Sequence, residues 1–162
     1  MPLRKKVLKV RIIGGKNRGR KLLEPRGFRI RPTADRVREA IFNILSSYFQ
    51  NGIRDKMVAD LFSGTGALAI EALSRGAKSA VLVDNQAGAI NLIKRNIQTC
   101  GEENNTFLLK RDARYLGPLP NNFLSVNIVF LDPPYGSNLV SAALRSLVEN
   151  EWLATGALCV IE

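Results

Sequence analysis

Residues Asp132-Pro133-Pro134-Tyr135 place a carboxylate, two prolines and a phenol ring in consecutive positions. A residue before proline is pushed out of helical geometry, so Asp132 and Pro133 are held extended. Neither proline has an N–H to offer. The stretch therefore presents acceptors only, the Asp132 carboxylate and the Pro133 carbonyl, followed by a ring that can stack on a planar base. Two acceptors can take the two protons of an exocyclic amino group while Tyr135 holds the base plane. An ordinary Pro-rich loop after a strand would account for the prolines alone. It accounts less well for all four residues beside a second motif.

That second motif is Asp60-Leu61-Phe62-Ser63-Gly64-Thr65-Gly66. Glycines between a strand and a helix permit a tight turn and let a ligand approach the backbone closely. Gly64-x-Gly66-x-x-Ala69 also fits the dinucleotide fingerprint, with Asp84 twenty residues beyond Gly64. Such a fingerprint serves a pyrophosphate at a helix N-terminus. A carboxylate at Asp60 suits an ammonium or sulfonium charge better than a pyrophosphate. Asp84 suits a ribose diol, because a carboxylate accepts both hydroxyl protons. Asp112 could accept from an adenine amino group. Each acid alone is more simply a cap or a surface carboxylate. Three of them at successive strand ends on one sheet edge point to a ligand crevice.

These residues need a frame, and the apolar pattern supplies one. From residue 57 the chain alternates strand and helix. Strands are expected at Met57–Phe62, Ala80–Val83, Thr106–Leu109, Val126–Leu131 and Gly156–Ile161. Helices are expected at Ala67–Ser74, Gln86–Thr99 and Asn138–Leu153, with Gly101 just past the second. This is an α/β fold, a mostly parallel sheet covered on both faces. Ahead of it, residues 7–13 and 16–23 read as a hairpin around Gly14-Gly15. Val37, Ile41, Ile44, Leu45 and Tyr48 fall at helical spacing over 34–49, with Thr33 as a candidate N-cap.

At 162 residues the chain is one domain's worth of protein. Residues 1–56 and 57–162 differ sharply in charge but are expected to share one globule. The first segment holds 16 Lys and Arg against 4 Asp and Glu; the second holds 8 against 10. Such an excess, sustained over a third of the chain, points to a polyanion. A membrane surface fits less well, since no strongly apolar amphipathic helix accompanies the earliest charges. There is no histidine, which excludes His-based triads and His-ligated zinc. The only cysteines, Cys100 and Cys159, form no CxxC pair and read as small buried hydrophobes in a reducing compartment. No apolar run approaches a membrane span. A cytoplasmic monomer without metal is expected.

The two motifs together resemble those of S-adenosylmethionine-dependent amino-group methyltransferases. Three N-terminal stretches narrow the likeness: residues 11–16 (Arg-Ile-Ile-Gly-Gly-Lys), 18–20 (Arg-Gly-Arg) and 31–43, which runs from Arg31-Pro-Thr to Ile41-Phe-Asn. With these in order, the whole chain resembles the bacterial RsmD family, which methylates the N2 amino group of a guanine in 16S ribosomal RNA. The resemblance implies a Rossmann-like methyltransferase sheet. It implies that Asp60, Ser63, Gly64, Thr65 and Gly66 line the methionine end of S-adenosylmethionine, that Asp84 takes the ribose, and that Asp112 and Ala113 flank the adenine. It implies that Asp132, Pro133, Pro134 and Tyr135 hold the target guanine. Arg11, Lys16, Arg18, Arg20, Arg31 and Arg36 are the expected contacts to 16S rRNA within a small-subunit particle; Thr33 and Arg36 could equally face the cofactor. The family's sheet continues past its fifth strand into a further hairpin. Here the sequence reaches Glu162, so those strands are expected to be missing and Leu158–Ile161 to form an apolar edge.

Other readings stay open at this point. An adenine-N6 methyltransferase of DNA or RNA would use the same four residues at 132–135. A nicotinamide-dependent oxidoreductase would explain the glycine turn and Asp84 but not residues 132–135. A non-catalytic ribosome-assembly binder would explain the charge alone.

Overall fold

The computed structural model describes residues 10–25, 33–136 and 138–162. The elements in chain order are α1 (Thr33–Tyr48), β1 (Met57–Asp60), α2 (Ala67–Ser74), β2 (Ser79–Asp84), α3 (Ala87–Cys100), β3 (Thr106–Lys110), β4 (Val126–Leu131), α4 (Leu139–Glu149) and β5 (Leu153–Ile161). A single 3₁₀ turn, Glu103–Asn105, joins α3 to β3. Among the described residues the strands form one parallel sheet in the order β3-β2-β1-β4-β5. This is the α/β architecture expected from the alternating pattern.

Strand periodicity sorts the sheet's side chains into two cores. Val58, Ala80, Leu82, Ile128 and Phe130 face one way, against α1, α2 and α3. Ala59, Val81, Val83, Val129 and Leu131 face the other way, against Ala143 and Leu147 of α4 and against Trp152. Central strands buried on both faces explain the near-continuous apolar runs in the sequence. The face under α1 also takes in Ile12 and Leu22, so the basic N-terminal segment shares that core.

Two expectations need correction. The N-terminal hairpin is no regular ladder. Among the described residues its pairing is one antiparallel bridge, Arg11 to Lys21, with Ile12 N–H bonding Arg20 O at 2.9 Å, Leu22 N–H bonding Val10 O at 2.8 Å and Gly19 N–H bonding Ile12 O at 2.8 Å; residues 7–9 of the expected first strand lie outside the described residues. The strand edge is spent elsewhere: Ile13 and Gly14 N–H donate to the Glu71 carboxylate, each at 2.8 Å, and Lys16 N–H to Ser74 O at 2.9 Å. Gly15 packs against α2 so closely that a Cβ there would lie 1.8 Å from Ser74 O, at φ +74°. Only glycine fits.

The second correction is the boundary between α4 and β5, expected at Leu153 and found earlier. Asn150 Nδ2 caps the helix through Ser146 O, Glu151 turns the chain at φ 55°, and Trp152 drops into the core. Its indole N–H reaches Gly117 O at 2.9 Å. β5 then starts at Leu153, with a register irregularity between its pairings to Val126 and Ile128. Leu158 and Val160 of β5 pack partly against the core under α1, while Ile161 is exposed and Cys159, expected to be buried, is exposed as well.

Glu71, fully buried, gathers the two hairpin N–H groups, Arg75 at 2.8 Å and Arg38 at 3.6 Å. Glu71→Ala would leave those donors buried without their anion. The expected loss is about 3–5 kcal/mol by urea unfolding. A loss below 1 kcal/mol would show the cluster to be dispensable.

Candidate active site

The sheet's strand order reverses beside β1: the chain leaves it for β2 and β3, then returns to β4 on its other side. In such sheets the crevice lies at the carboxyl ends of the strands around the reversal. A pocket of about 920 Å³ occupies that place. Asp132, Pro133, Pro134 and Tyr135 all line it, as do Gly64, Thr65, Asp84, Asp112 and Ala113. The two motifs therefore open into one cavity. The sequence reading missed Pro25, Phe62, Asn85, Gln86, Arg111 and Leu139, which also line it. Asn85 and Gln86 adjoin Asp84 and could have been found from it. Nothing local to Pro25 marks it as part of a site 40 residues away from the glycine turn.

The turn is held by its own backbone and by Asp84. Ser63 N–H bonds Val83 O at 3.1 Å and Gly66 N–H bonds Ser63 O at 2.7 Å. Asp84 accepts Gly64 N–H on Oδ2 and Gln86 N–H on Oδ1, both at 3.0 Å. Each oxygen keeps a further lone pair for a ligand hydroxyl. Gly66 sits at φ +81°, where a Cβ would press Ile70, Leu82 and Ile93 at 3.3–3.4 Å. Gly66 thus shapes the turn without lining the pocket, and Ser63, 7% exposed, does the same.

Asp60 is 1% exposed and lies beneath the pocket floor rather than in its wall. Its Oδ2 accepts the Ser63 hydroxyl at 3.0 Å, while Oδ1 has no partner. Burial raises its carboxyl to about 7, with Asp132 and Asp84 pushing the same way. A buried carboxylate oxygen without a donor, at the end of β1, is what a site for a cationic ligand would leave. Asp112 is engaged differently. Arg114 grips it bidentately at 2.7–3.2 Å and so holds its carboxyl below the usual range. Any contact from Asp112 to a base amino group would share its oxygens with that arginine.

Asp132 has a neighbour that sequence reasoning missed. Glu162 N–H bonds Leu131 O at 3.1 Å, and the Glu162 carboxyl lies near enough to Asp132 for each to influence the other's proton affinity. Burial raises both, and Glu162 is raised further by the Asp132 charge. The signal would have been the pairing of Leu131 with Ile161, which needs the strand order first.

The expected RNA contacts divide. Arg18 and Arg36 are exposed. Arg11 pairs with Asp35 at 3.1 Å and Lys16 with the buried Glu102 at 2.8 Å. Arg20 donates to Thr99 O at 2.6 Å. Three of these cations thus also anchor the hairpin. Arg31 lies outside the described residues, as does the Thr33 side chain. Among the described residues no group of His, Cys, Asp and Glu could hold a metal ion, and no helix is long and apolar enough to cross a membrane.

The Asp60 shift has a thermodynamic consequence. Its folded carboxyl binds protons up to about 7, well above its unfolded value of 3.8. Between those values the native state holds more protons, so stability falls as pH rises from 4 to 7. The swing is on the order of 4 kcal/mol. Asp60→Asn should remove it, which urea unfolding at pH 5 and pH 8 would read; an equal fall in both proteins would assign the slope elsewhere.

Comparison with known proteins agrees with this geometry. A family model described as conserved hypothetical protein 95 matches residues 10–162. The chain is 39% identical over 155 residues to the ribosomal RNA small subunit methyltransferase D of Haemophilus influenzae, covering 94% of this chain and 78% of that one. It is 39% identical over 158 residues to the protein of the same name from Escherichia coli K12, covering 94% and 74%. Among solved structures, yhhF from Escherichia coli superposes with a TM-score of 0.77 at 35% identity, over 94% of this chain and 79% of that one. HI0767 from Haemophilus influenzae gives 0.75 at 35%, over 94% and 80%. A chain with this sheet, this shared pocket and these relatives belongs to the RsmD family of Rossmann-like methyltransferases.

Proposed function

We propose that the chain transfers the methyl group of S-adenosylmethionine to the exocyclic N2 amino group of a guanine in 16S ribosomal RNA. The observation that carries this reading is the opening of the glycine turn and of residues 132–135 into one pocket. The residues present fit the cofactor. Asp84 offers its remaining lone pairs to a ribose, Ala113 packs at the far wall, and the unpartnered Asp60 Oδ1 supports a positive charge nearby. When bound, the cofactor supplies a methyl group already activated on a sulfonium.

The protein's part is positioning. Exposed cations of the hairpin and α1, Arg18 and Arg36 first among them, hold RNA phosphates and set the register. A target base must leave its stack to reach a pocket of this depth. The Asp132 carboxylate and the Pro133 carbonyl accept its amino protons, and the exposed Tyr135 ring stacks on its plane. Guanine N2 is a weak nucleophile because its lone pair is delocalised into the ring. Fixing both N–H bonds aims that lone pair, and the proton the amino group loses on methylation passes to the Asp132 carboxylate that already accepts it.

Labelled S-adenosylmethionine, offered with small-subunit particles lacking the modification and followed by digestion to nucleosides, should place label in N2-methylguanosine. Label in N6-methyladenosine would replace this reading with the adenine one. Asp132→Ala should lower turnover roughly a hundredfold while leaving cofactor affinity within about twofold; wild-type turnover would remove the role given to Asp132. Replacing Arg18 and Lys21 by alanine should reduce the salt slope of RNA binding by about one per lost phosphate contact. An unchanged slope would move the docking surface off the hairpin.

A further inference from the structure

The hairpin that carries the basic residues and the turn that faces the pocket are far apart in sequence. One side chain joins them. Asn96, in the middle of α3, is fully buried. Its Oδ1 accepts Leu23 N–H at 2.7 Å, and its Nδ2 donates to Leu23 O at 3.0 Å and to Thr65 O at 2.8 Å. Leu23 thus meets the amide as it would meet a neighbouring strand. The orientation of the amide is fixed, because a flipped group would face Leu23 N–H with a donor. Both amide protons and one oxygen lone pair are used in a site closed to water.

The two groups that Asn96 holds lead in opposite directions. Thr65 is the middle residue of Gly64-Thr65-Gly66 and lines the pocket. Leu23 follows Leu22, which is buried in the hairpin's core, and precedes Glu24, whose carboxylate accepts the Val10 N–H. Two residues after Leu23 comes Pro25, which lines the pocket as well. The chain leaving the basic hairpin therefore forms part of the pocket wall, and Asn96 sets its position against the glycine turn.

We propose that Asn96 is a positioning residue that makes the hairpin and the cofactor turn one unit, so that occupancy of the pocket and binding of RNA strengthen each other. This rests on the function proposed above, for which the pocket takes the cofactor and the hairpin takes RNA. The physical route is short. A ligand against Thr65 and Pro25 restrains both, Asn96 carries that restraint to Leu23, and the hairpin gives up less freedom when RNA arrives. Linkage requires the effect to be reciprocal.

The experiment measures binding of unmodified 16S rRNA with and without saturating S-adenosylhomocysteine, and the converse, in the wild-type chain and in Asn96→Leu. In the wild type each ligand should tighten the other by about fivefold or more. In Asn96→Leu both ligands should still bind, with the mutual factor reduced to near one. Because Asn96→Leu leaves three backbone groups without partners and could unfold, a second readout uses the wild type alone. S-adenosylhomocysteine should slow hydrogen exchange at the Leu23 amide more than at Gly19, whose N–H bonds Ile12 O within the hairpin. A merely structural Asn96 would leave the two amides equally affected. If both ligands bind the wild type independently, or if Asn96→Leu keeps the full mutual factor, the inference fails and the proposed function stands. If S-adenosylhomocysteine does not bind at all, the proposed function fails and takes the inference with it.

Discussion

A carboxylate sealed from water must be surrounded by donors, and the fold meets that demand at Glu71 by bringing three separate parts of the chain to it. Two N–H groups come from the hairpin, one guanidinium from the last turn of α2's own neighbourhood, and another from α1. Arg38 arrives there at a cost: burial lowers its own pKa, and Glu71 and Asp35 offset that. Glu102, also fully buried, repeats the arrangement at the end of α3, taking Lys16 at 2.8 Å and the Asn17 side chain at 3.1 Å. The basic segment is therefore fastened to the catalytic sheet by buried polar contacts in addition to its apolar core. Contacts of this kind are directional, and they fix where the hairpin sits relative to the pocket.

That placement separates charge across the molecule. The hairpin carries a cationic excess, with Arg11, Lys16, Arg18, Arg20 and Lys21 against Glu24, whereas the pocket end gathers Asp60, Asp84, Asp132 and Glu162. A phosphate is drawn to the first surface and repelled by the second. A neutral base or a cationic cofactor suffers no such repulsion. The same arrangement raises the Asp60, Asp132 and Glu162 carboxyls: each of the three is desolvated, and Asp60 and Glu162 are raised further by neighbouring acids. Asp112 escapes because Arg114 pairs with it.

The sheet was legible from residues alone because its strands are buried on both faces and so read as unbroken apolar runs. Val126–Leu131 is the plainest case, with both edges as expected. The hairpin was legible as a turn but not as structure, since its N–H groups bond to Glu71 and Ser74, 57 or 58 residues away, which no local pattern encodes. The end of α4 was misread for a related reason. Trp152 looks like one more apolar helical position until tertiary packing claims it. Within the pocket, residues in contiguous motifs were found; Pro25, which lines it, and Glu162, which adjoins Asp132 from the end of β5, are delivered by topology and were not. Asp60, Ser63 and Gly66, which the resemblance places at the methionine end of the cofactor, are buried beside the pocket, where Ser63 and Gly66 also hold the turn.

The carboxylate of Asp132 bears on which base the proposed reading favours. An amino group gripped by two acceptors does not by itself distinguish guanine from adenine, since both bases have one. The adjoining ring position does. Guanine carries a second donor, N1–H, beside its amino group, whereas adenine carries a lone pair at N1 beside its own. A cluster of carboxyl oxygens accepts two neighbouring donors well and meets a ring lone pair with repulsion. Burial raises both carboxyls, and the Asp132 charge raises Glu162 further. A base read along its Watson–Crick edge in such surroundings gains a second hydrogen bond as guanine and loses one as adenine. Under the proposed reading, an ionised Asp132 would suit the N1–H of guanine better than the N1 lone pair of adenine.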